Sequence, residues 1–244
     1  MTDPLFLAEF DDTAGPGARI VVTGDEAHHG VSVKRLRQGE SVLLSNGAGL
    51  GLRGTVTDLA KREFTVEVLE VLPSDDVPGV RWGVVQALAK GDRSDLAVQM
   101  ATELGARRII AWQASRSIVR WQGDRGAKAL EKWAATAREA AKQARRLFVP
   151  EVSSASTAEV VAAIREADVT LVLHEESGMH IADVQLPSDG VGLVIVGPEG
   201  GISPDELDAF LAAGAQAVLI SDGVLRTSTA GAVALGQLDV VARR

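Results

Sequence analysis

The stretch from Val191 to Leu238 constrains this chain most. It holds two apolar runs, Leu193–Val196 and Ala217–Ile220, and each ends in a glycine-bearing loop followed by a helix-like segment. An open α/β sheet uses such runs to bring backbone amides up to a ligand at the carboxyl ends of its strands. The first loop reads Gly197-Pro198-Glu199-Gly200-Gly201. Behind it, Ser203, Pro204 and Glu206 spell a helix start, with Ser as N-cap, Pro at the first helical position and Glu closing a capping box. The glycines open the main chain to close approach and leave Glu199 as the loop's one ionisable side chain. A plain strand-to-helix turn with a solvated Glu199 would use the same residues. The second loop, Ser221 to Gly231, sets Arg226 among small and hydroxylic residues just before the alanine-rich run Ala230–Val241. Neither GxxxxGK[ST] nor GxGxxG follows the first of these strands, so nucleoside triphosphatase and dinucleotide sites are unsupported.

From Val80 onward, strand-like and helix-like segments alternate: Val80–Ala87, Arg93–Leu104, Arg108–Trp112, Lys128–Arg145, Thr157–Glu166, Thr170–Leu173, and then the two runs above with their helices. That alternation predicts a parallel sheet covered on both faces. Residues 1–72 read differently, as a small β-rich domain of short runs at Ile20–Val22, Ser41–Leu44, Gly54–Thr57 and Phe64–Val71. Asn46–Gly51 resembles a glycine fingerprint but lies between two strands, which makes it a hairpin loop. Two prolines, a glycine and two acids in Leu72–Gly79 mark a linker over 73–79, leaving 80–244 as the second domain.

No apolar run reaches the length of a membrane span, and the amino terminus lacks a signal-peptide pattern. Zero cysteines exclude disulfides, thiolate metal sites and a cysteine nucleophile, and four scattered histidines argue against a metal centre. The expectation is a cytoplasmic protein without metal. The net charge of −8 argues against indiscriminate nucleic-acid binding, yet residues 81–146 hold 14 basic and 6 acidic side chains. Within that island Arg138, Lys142 and Arg145 recur at helical spacing, and with Arg116 and Arg120 they form a candidate phosphate-tracking surface. Lys34, Arg35 and Arg37, beside His28 and His29, form a second candidate. A solvated helix face is the plainer reading of both clusters.

The pair GPEGG-x-S-x-x-E and LRT-x-TA resembles the carboxy-terminal signature of the SPOUT methyltransferases, and more specifically the ribosomal RNA small-subunit methyltransferase E family. Resemblance continues in Lys90–Gly105 (KGDRSDLAVQMATELG), Ser115–Val119 and Leu173–Ser177, which with the carboxy-terminal pair make four ordered blocks between residues 90 and 230. Two departures stand out: Ser228 occupies a position where the family usually carries an acid, and Ser221-Asp222-Gly223 replaces the usual start of the second loop. The resemblance implies an α/β SPOUT domain whose last third forms a trefoil knot, preceded by a PUA-like β-barrel. It further implies S-adenosylmethionine as methyl donor and N3 of a uridine in 16S rRNA as acceptor, on naked RNA or the small ribosomal subunit, and a homodimer. Carried over residue by residue, donor contacts fall on Leu173, His174, Gly197, Glu199, Gly200, Ile220, Gly223 and Leu225. Arg226 is the candidate catalytic residue, since a guanidinium beside a base carbonyl would stabilise the imide anion. Ribose 2′-O-methylation is the alternative chemistry. An RNA-binding module without catalysis is the alternative class, and Ser228 is the feature that favours it.

Overall fold

The computed structural model describes residues 3–74 and 79–243; Asp75 to Pro78, most of the expected linker, lie outside the described residues. The chain divides into two compact units, one of residues 3–74 with Ala141–Val149, the other of residues 79–140 with 150–243.

The first unit carries one five-stranded sheet built from β1 (Leu5–Leu7), β2 (Arg19–Thr23), β3 (Ser41–Ser45), β4 (Gly51–Ala60) and β5 (Glu63–Leu72), in the order β1-β3-β4-β5-β2. Phe6 on one edge strand and Ile20 and Val22 on the other share a single core with Leu44, Leu52, Phe64 and Val66, so the sheet curls on itself. A short helix α1 (Gly24–His28) and a π-helical turn, His29–Lys34, follow β2. Asn46–Gly51 is the β3–β4 connection, and Asn46 organises it by accepting from the amides of Ala48 and Leu50.

One expectation needs correction: the chain does not pass from the first unit to the second once and stay there. Leu147 is buried among Leu5 and Leu43, with Leu72 packed against them, and Ser45 Oγ donates to its carbonyl at 2.8 Å. Apolar burial and that hydrogen bond hold Ala141–Val149 in the first unit.

The second unit is a six-stranded, wholly parallel sheet, as the alternation predicts. Its strands are β6 (Val80–Ala87), β7 (Arg108–Trp112), β8 (Glu151–Ala155), β9 (Val169–Leu173), β10 (Gly190–Val196) and β11 (Gln216–Val218), ordered β11-β9-β10-β6-β7-β8. Side chains alternate between two cores, as the period of 2 requires. Val84, Ile109, Leu171, Val194 and Val196 face one side with Val98 of α2 (Arg93–Glu103), Trp133 of α3 (Gly123–Ala144) and Leu235 of α6 (Thr227–Val241). Val85, Ile110, Val172 and Ile195 face the other with Val160 of α4 (Thr157–Glu166) and Phe210 of α5 (Pro204–Ala212). The parallel strands therefore put all their carboxyl ends on one edge. Among the described residues, no helix is long and apolar enough to cross a membrane.

Candidate active site

A cleft of about 350 Å³ opens at the carboxyl ends of β9, β10 and β11, at the lower end of the range for small-molecule sites. Leu173, His174, Gly197, Glu199, Ile220, Gly223, Leu225 and Arg226, all expected from sequence, line it together with Arg93, Thr227 and Ala230. Gly200 does not. It lies instead against Arg116, whose Cβ and carbonyl oxygen would both stand 3.3 Å from any added Cβ, so glycine here serves packing. Its neighbour Gly201 has φ +73°, a conformation that glycine adopts at no steric cost.

The two loops are tied together from beneath. The Gln86 side chain, 2% exposed at the end of β6, donates to Thr227 Oγ1 at 2.9 Å, and Thr227 Oγ1 donates to the Gly197 carbonyl at 2.7 Å. One chain of hydrogen bonds thus joins a sheet strand, the first loop and the start of α6. Gln237 of α6 donates to the Ile220 carbonyl at 3.0 Å and fixes the root of the second loop.

The rim of the first loop is held from two sides. Glu199 Oε1 accepts from the Lys90 amide at 3.2 Å and pairs with Arg93 at 3.3 Å. Partial burial works against its ionisation, but backbone amides and the Arg93 guanidinium outweigh it and hold the carboxyl below the usual glutamate range. From the other side, Arg116 donates to the carbonyls of Gly200, at 3.3 Å, and Ile202, at 3.5 Å. Below the loop, Glu206 is 5% exposed and closes the expected capping box with Ser203. It also accepts from the amide and hydroxyl of Ser115, at 2.8 and 2.7 Å, and from Thr157. Burial would raise its pKa, and the donors from Ser115 and Ser203 reverse the shift and lower it.

Arg226 sits at the N-cap of α6, exposed at the cleft. Among the described residues, no hydrogen bond or ion pair engages its guanidinium; Glu199 is spent on Arg93 and Lys90. Ser228 is 4% exposed in the first turn of α6. The charged lining is Glu175, Glu199 and Asp222 against Arg93 and Arg226, with His174, Ser221 and Thr227 as further polar residues.

Residues 78–239 match the family described as RNA methyltransferase domain, and residues 22–69 match the RNA methyltransferase PUA domain. The chain is 44% identical over 241 residues to the ribosomal RNA small subunit methyltransferase E of Mycobacterium bovis, covering 96% of this chain and 91% of that one. It belongs to the ribosomal RNA small subunit methyltransferase E family. The Bacillus subtilis member is 28% identical over 225 residues, covering 89% of this chain and 88% of its own. The Neisseria gonorrhoeae member, solved bound to S-adenosyl methionine, superposes with a TM-score of 0.85 at 26% identity and covers 98% of both chains. A putative methyltransferase from Legionella pneumophila, solved with bound cofactor SAM, gives 0.86 at 25% identity, again over 98% of both chains.

The expected RNA-binding side chains of this methyltransferase-family chain are placed unevenly. Lys34, Arg35 and Arg37 are exposed, and Arg35 takes a left-handed φ of 56° where the π-helical turn ends. Arg116 and Arg120 are exposed as well, but each spends guanidinium donors on backbone carbonyls, Arg120 on those of Ala114 and Ser115. Arg138 is exposed on α3. Lys142 is a correction: it is 7% exposed and pairs with Glu26 at 2.9 Å, so it does not stand on a phosphate-facing surface. The shared helical face is a correction too, because α3 ends at Ala144 and exposed Arg145 has φ 55°. Sequence reasoning missed Gln86, Thr227 and Arg93. A lone carboxamide in the apolar run Val80–Ala87 was the available signal for the first.

Proposed function

We propose that this chain transfers a methyl group from S-adenosylmethionine to N3 of a uridine in 16S ribosomal RNA. The observation that carries the reading is the convergence, in one cleft, of both motif loops and an unengaged guanidinium, in a chain related over nearly its whole length to small subunit methyltransferase E proteins. The cleft suits the donor. Leu173, Ile220 and Leu225 offer apolar walls for an adenine, Gly197 and Gly223 offer main chain, and Glu175 and Asp222 favour a cationic sulfonium. When bound, S-adenosylmethionine supplies an activated methyl whose leaving group is a neutral thioether.

The chain's own task is alignment and charge. The Gln86–Thr227–Gly197 bonds fix the two loops relative to each other, which sets where a donor and a base can meet. Uridine N3 is a nucleophile once its proton has passed to solvent water, and the N–CH3 bond then forms as the methyl–sulfur bond breaks. Arg226 would stabilise the imide charge on a base carbonyl, helped by the amino-terminal end of α6.

In this reading Lys34, Arg35 and Arg37 of the first unit, and Arg116, Arg120, Arg138 and Arg145, contact RNA phosphates, the first unit acting as the PUA-like module. The knotted carboxy-terminal third and a homodimer belong to the same reading, as does a cytoplasmic site of action on 16S rRNA or the small subunit. Of the small residues Ala232, Ala234 and Gly236 on α6, the two alanines are buried within the chain, and Gly236, with open space beside it, is the one that would allow close helix approach between copies. Mass spectrometry of 16S rRNA from a deletion strain tests the reaction: loss of one N3-methyluridine is expected, and an unchanged methylation pattern, or loss of a ribose methyl instead, would overturn it.

A further inference from the structure

A second pocket of about 380 Å³ lies at the carboxyl ends of β7 and β8, on the same sheet edge as the donor cleft but on the far side of β6. No described residue lines both. Its floor is Leu88 and Ala111, each 2% exposed. Trp121 forms one wall, its ring held edge-on against buried Trp133 at 5.1 Å and 77°. The Trp121 amide donates to Gln113 Oε1 at 2.8 Å, which orients that carboxamide and leaves its Nε2 donors unengaged among the described residues. Glu159 also lines the pocket. Its Oε2 accepts from the amide and hydroxyl of Ser156, both at 2.7 Å, and its Oε1 has no partner among the described residues.

An apolar floor, an aromatic wall, an amide donor and a carboxylate acceptor around one small volume match a planar heterocycle that carries both N–H and C=O on its edge. We infer that this pocket takes an unpaired nucleobase of the RNA strand, distinct from the base that is methylated. Single-stranded RNA is read in this way, with bases splayed out, stacked on aromatic rings and hydrogen-bonded along their pairing edges. The surrounding charge fits a polyanion. Arg125 and Lys128 are exposed on either side of the lining residues Gly126 and Ala127, and Arg120 precedes Trp121, against Asp124 as the one acid in residues 120–130. The inference rests on the RNA methyltransferase reading and adds to it a second point of attachment. Two anchored nucleotides on one sheet edge would set the register of the strand across the donor cleft.

Ala127 is exposed and lines the pocket, so Ala127→Leu narrows it while leaving the buried packing in place. Trp121→Phe keeps an aromatic wall of smaller area. In titrations of the full chain with 16S rRNA at several salt concentrations, Ala127→Leu should weaken binding roughly tenfold, the scale of one stacked base. The slope of log affinity against log salt should stay at the wild-type value, because every phosphate keeps its cation. Trp121→Phe should fall between the two, and S-adenosylmethionine affinity should not move in either variant. Ultraviolet cross-linking on small ribosomal subunits should attach a nucleotide to the peptide bearing Trp121. Unchanged RNA affinity in Ala127→Leu, a flattened salt slope, or a cross-link from that peptide to a ribosomal protein would each overturn the inference while leaving the methylation reading intact. A wild-type chain that neither binds nor methylates 16S rRNA would overturn the reading beneath it and this inference with it.

Discussion

Thr227 Oγ1 stands 2.7 Å from the carbonyl oxygen of Gly197, so the first residue of the last helix holds the loop that follows β10. Because the same hydroxyl accepts from buried Gln86, its proton is directed at Gly197. Replacing it with the isosteric Thr227→Val leaves the part-buried Gly197 carbonyl without this donor and the buried Gln86 amide with only the Ala87 carbonyl at 3.2 Å. We expect a loss of about 1–3 kcal/mol in denaturant unfolding. Calorimetric titration should also show weaker S-adenosylmethionine binding, and a variant with unaltered stability and donor affinity would remove the bond from the site's architecture.

Arg226→Ala should keep its fold and donor affinity and lose turnover by roughly 10²-fold or more, the scale for removing one anion-stabilising donor. Arg226→Lys should recover only part, since an ammonium lacks the planar fork. Single-turnover methyl transfer, with the thermal midpoint measured in parallel, decides the matter: early melting makes the arginine structural, and normal turnover removes it from the chemistry.

Glu206 carries a pH signature. Its folded-state pKa is lowered below the ordinary value of 4.5. Its contribution to stability is therefore complete above about 4.5 and fades as pH falls through the lower folded value. Glu206→Gln confronts the Ser115 and Ser203 donors with an amide and should cost about 1–3 kcal/mol at pH 7. The gap from wild type should narrow as unfolding is followed downward in pH. A constant gap would mean that ionisation of this carboxyl is not what the donors stabilise.

The Lys142–Glu26 pair is almost out of solvent, at 6% and 10% side-chain exposure. Glu26 also accepts from the Leu7 amide at 3.3 Å. Lys142→Ala should destabilise the chain by up to about 3–5 kcal/mol, the scale of breaking a buried ion pair. Lys142→Met with Glu26→Gln should recover part of that loss. If Lys142→Ala also flattened the salt dependence of RNA binding, the lysine would be a phosphate ligand after all.

Charge reversal at Arg35 and Arg37 should weaken RNA binding and lower the magnitude of its salt slope by about 1 for each phosphate no longer neutralised. Donor affinity should be untouched. Equal RNA affinity and an equal slope, measured by fluorescence anisotropy over a salt series, would return these side chains to a solvated surface.

Much of the second unit was legible because buried parallel strands are short continuous apolar runs, and Leu193–Val196 is one. Where a strand lacks that property, the signal vanishes. β8 reads Glu-Val-Ser-Ser-Ala at the sheet edge, with a single larger aliphatic residue, and β1 is only three residues long. Ser203, Pro204 and Glu206 announced their helix correctly, because capping is local chemistry. The further donors to Glu206, from Ser115 and Thr157, come from distant parts of the chain and leave no local trace. Helical spacing put Lys142 with Arg138 on one side of α3, but spacing does not reveal which side another part of the chain will cover. At the cleft, seven of the eight residues expected to touch the donor fall in the lining, and Gly200 does not. The bonds that hold the lining in place involve Gln86 and Thr227, whose partnership spans 141 positions.

Leu147 completes the apolar cluster of Leu5 and Leu43, which bears on the order of events at the ribosome. Domains emerging from the exit tunnel generally fold amino-terminal part first. Here one small apolar cluster of the first unit depends on a residue made much later. The main core of the first unit needs nothing beyond Val68, but the Leu5–Leu43 cluster receives Leu147 only after roughly two more strands and two helices have been translated. Leu5 and Leu43 thus stay uncovered on that side until α3 has been made.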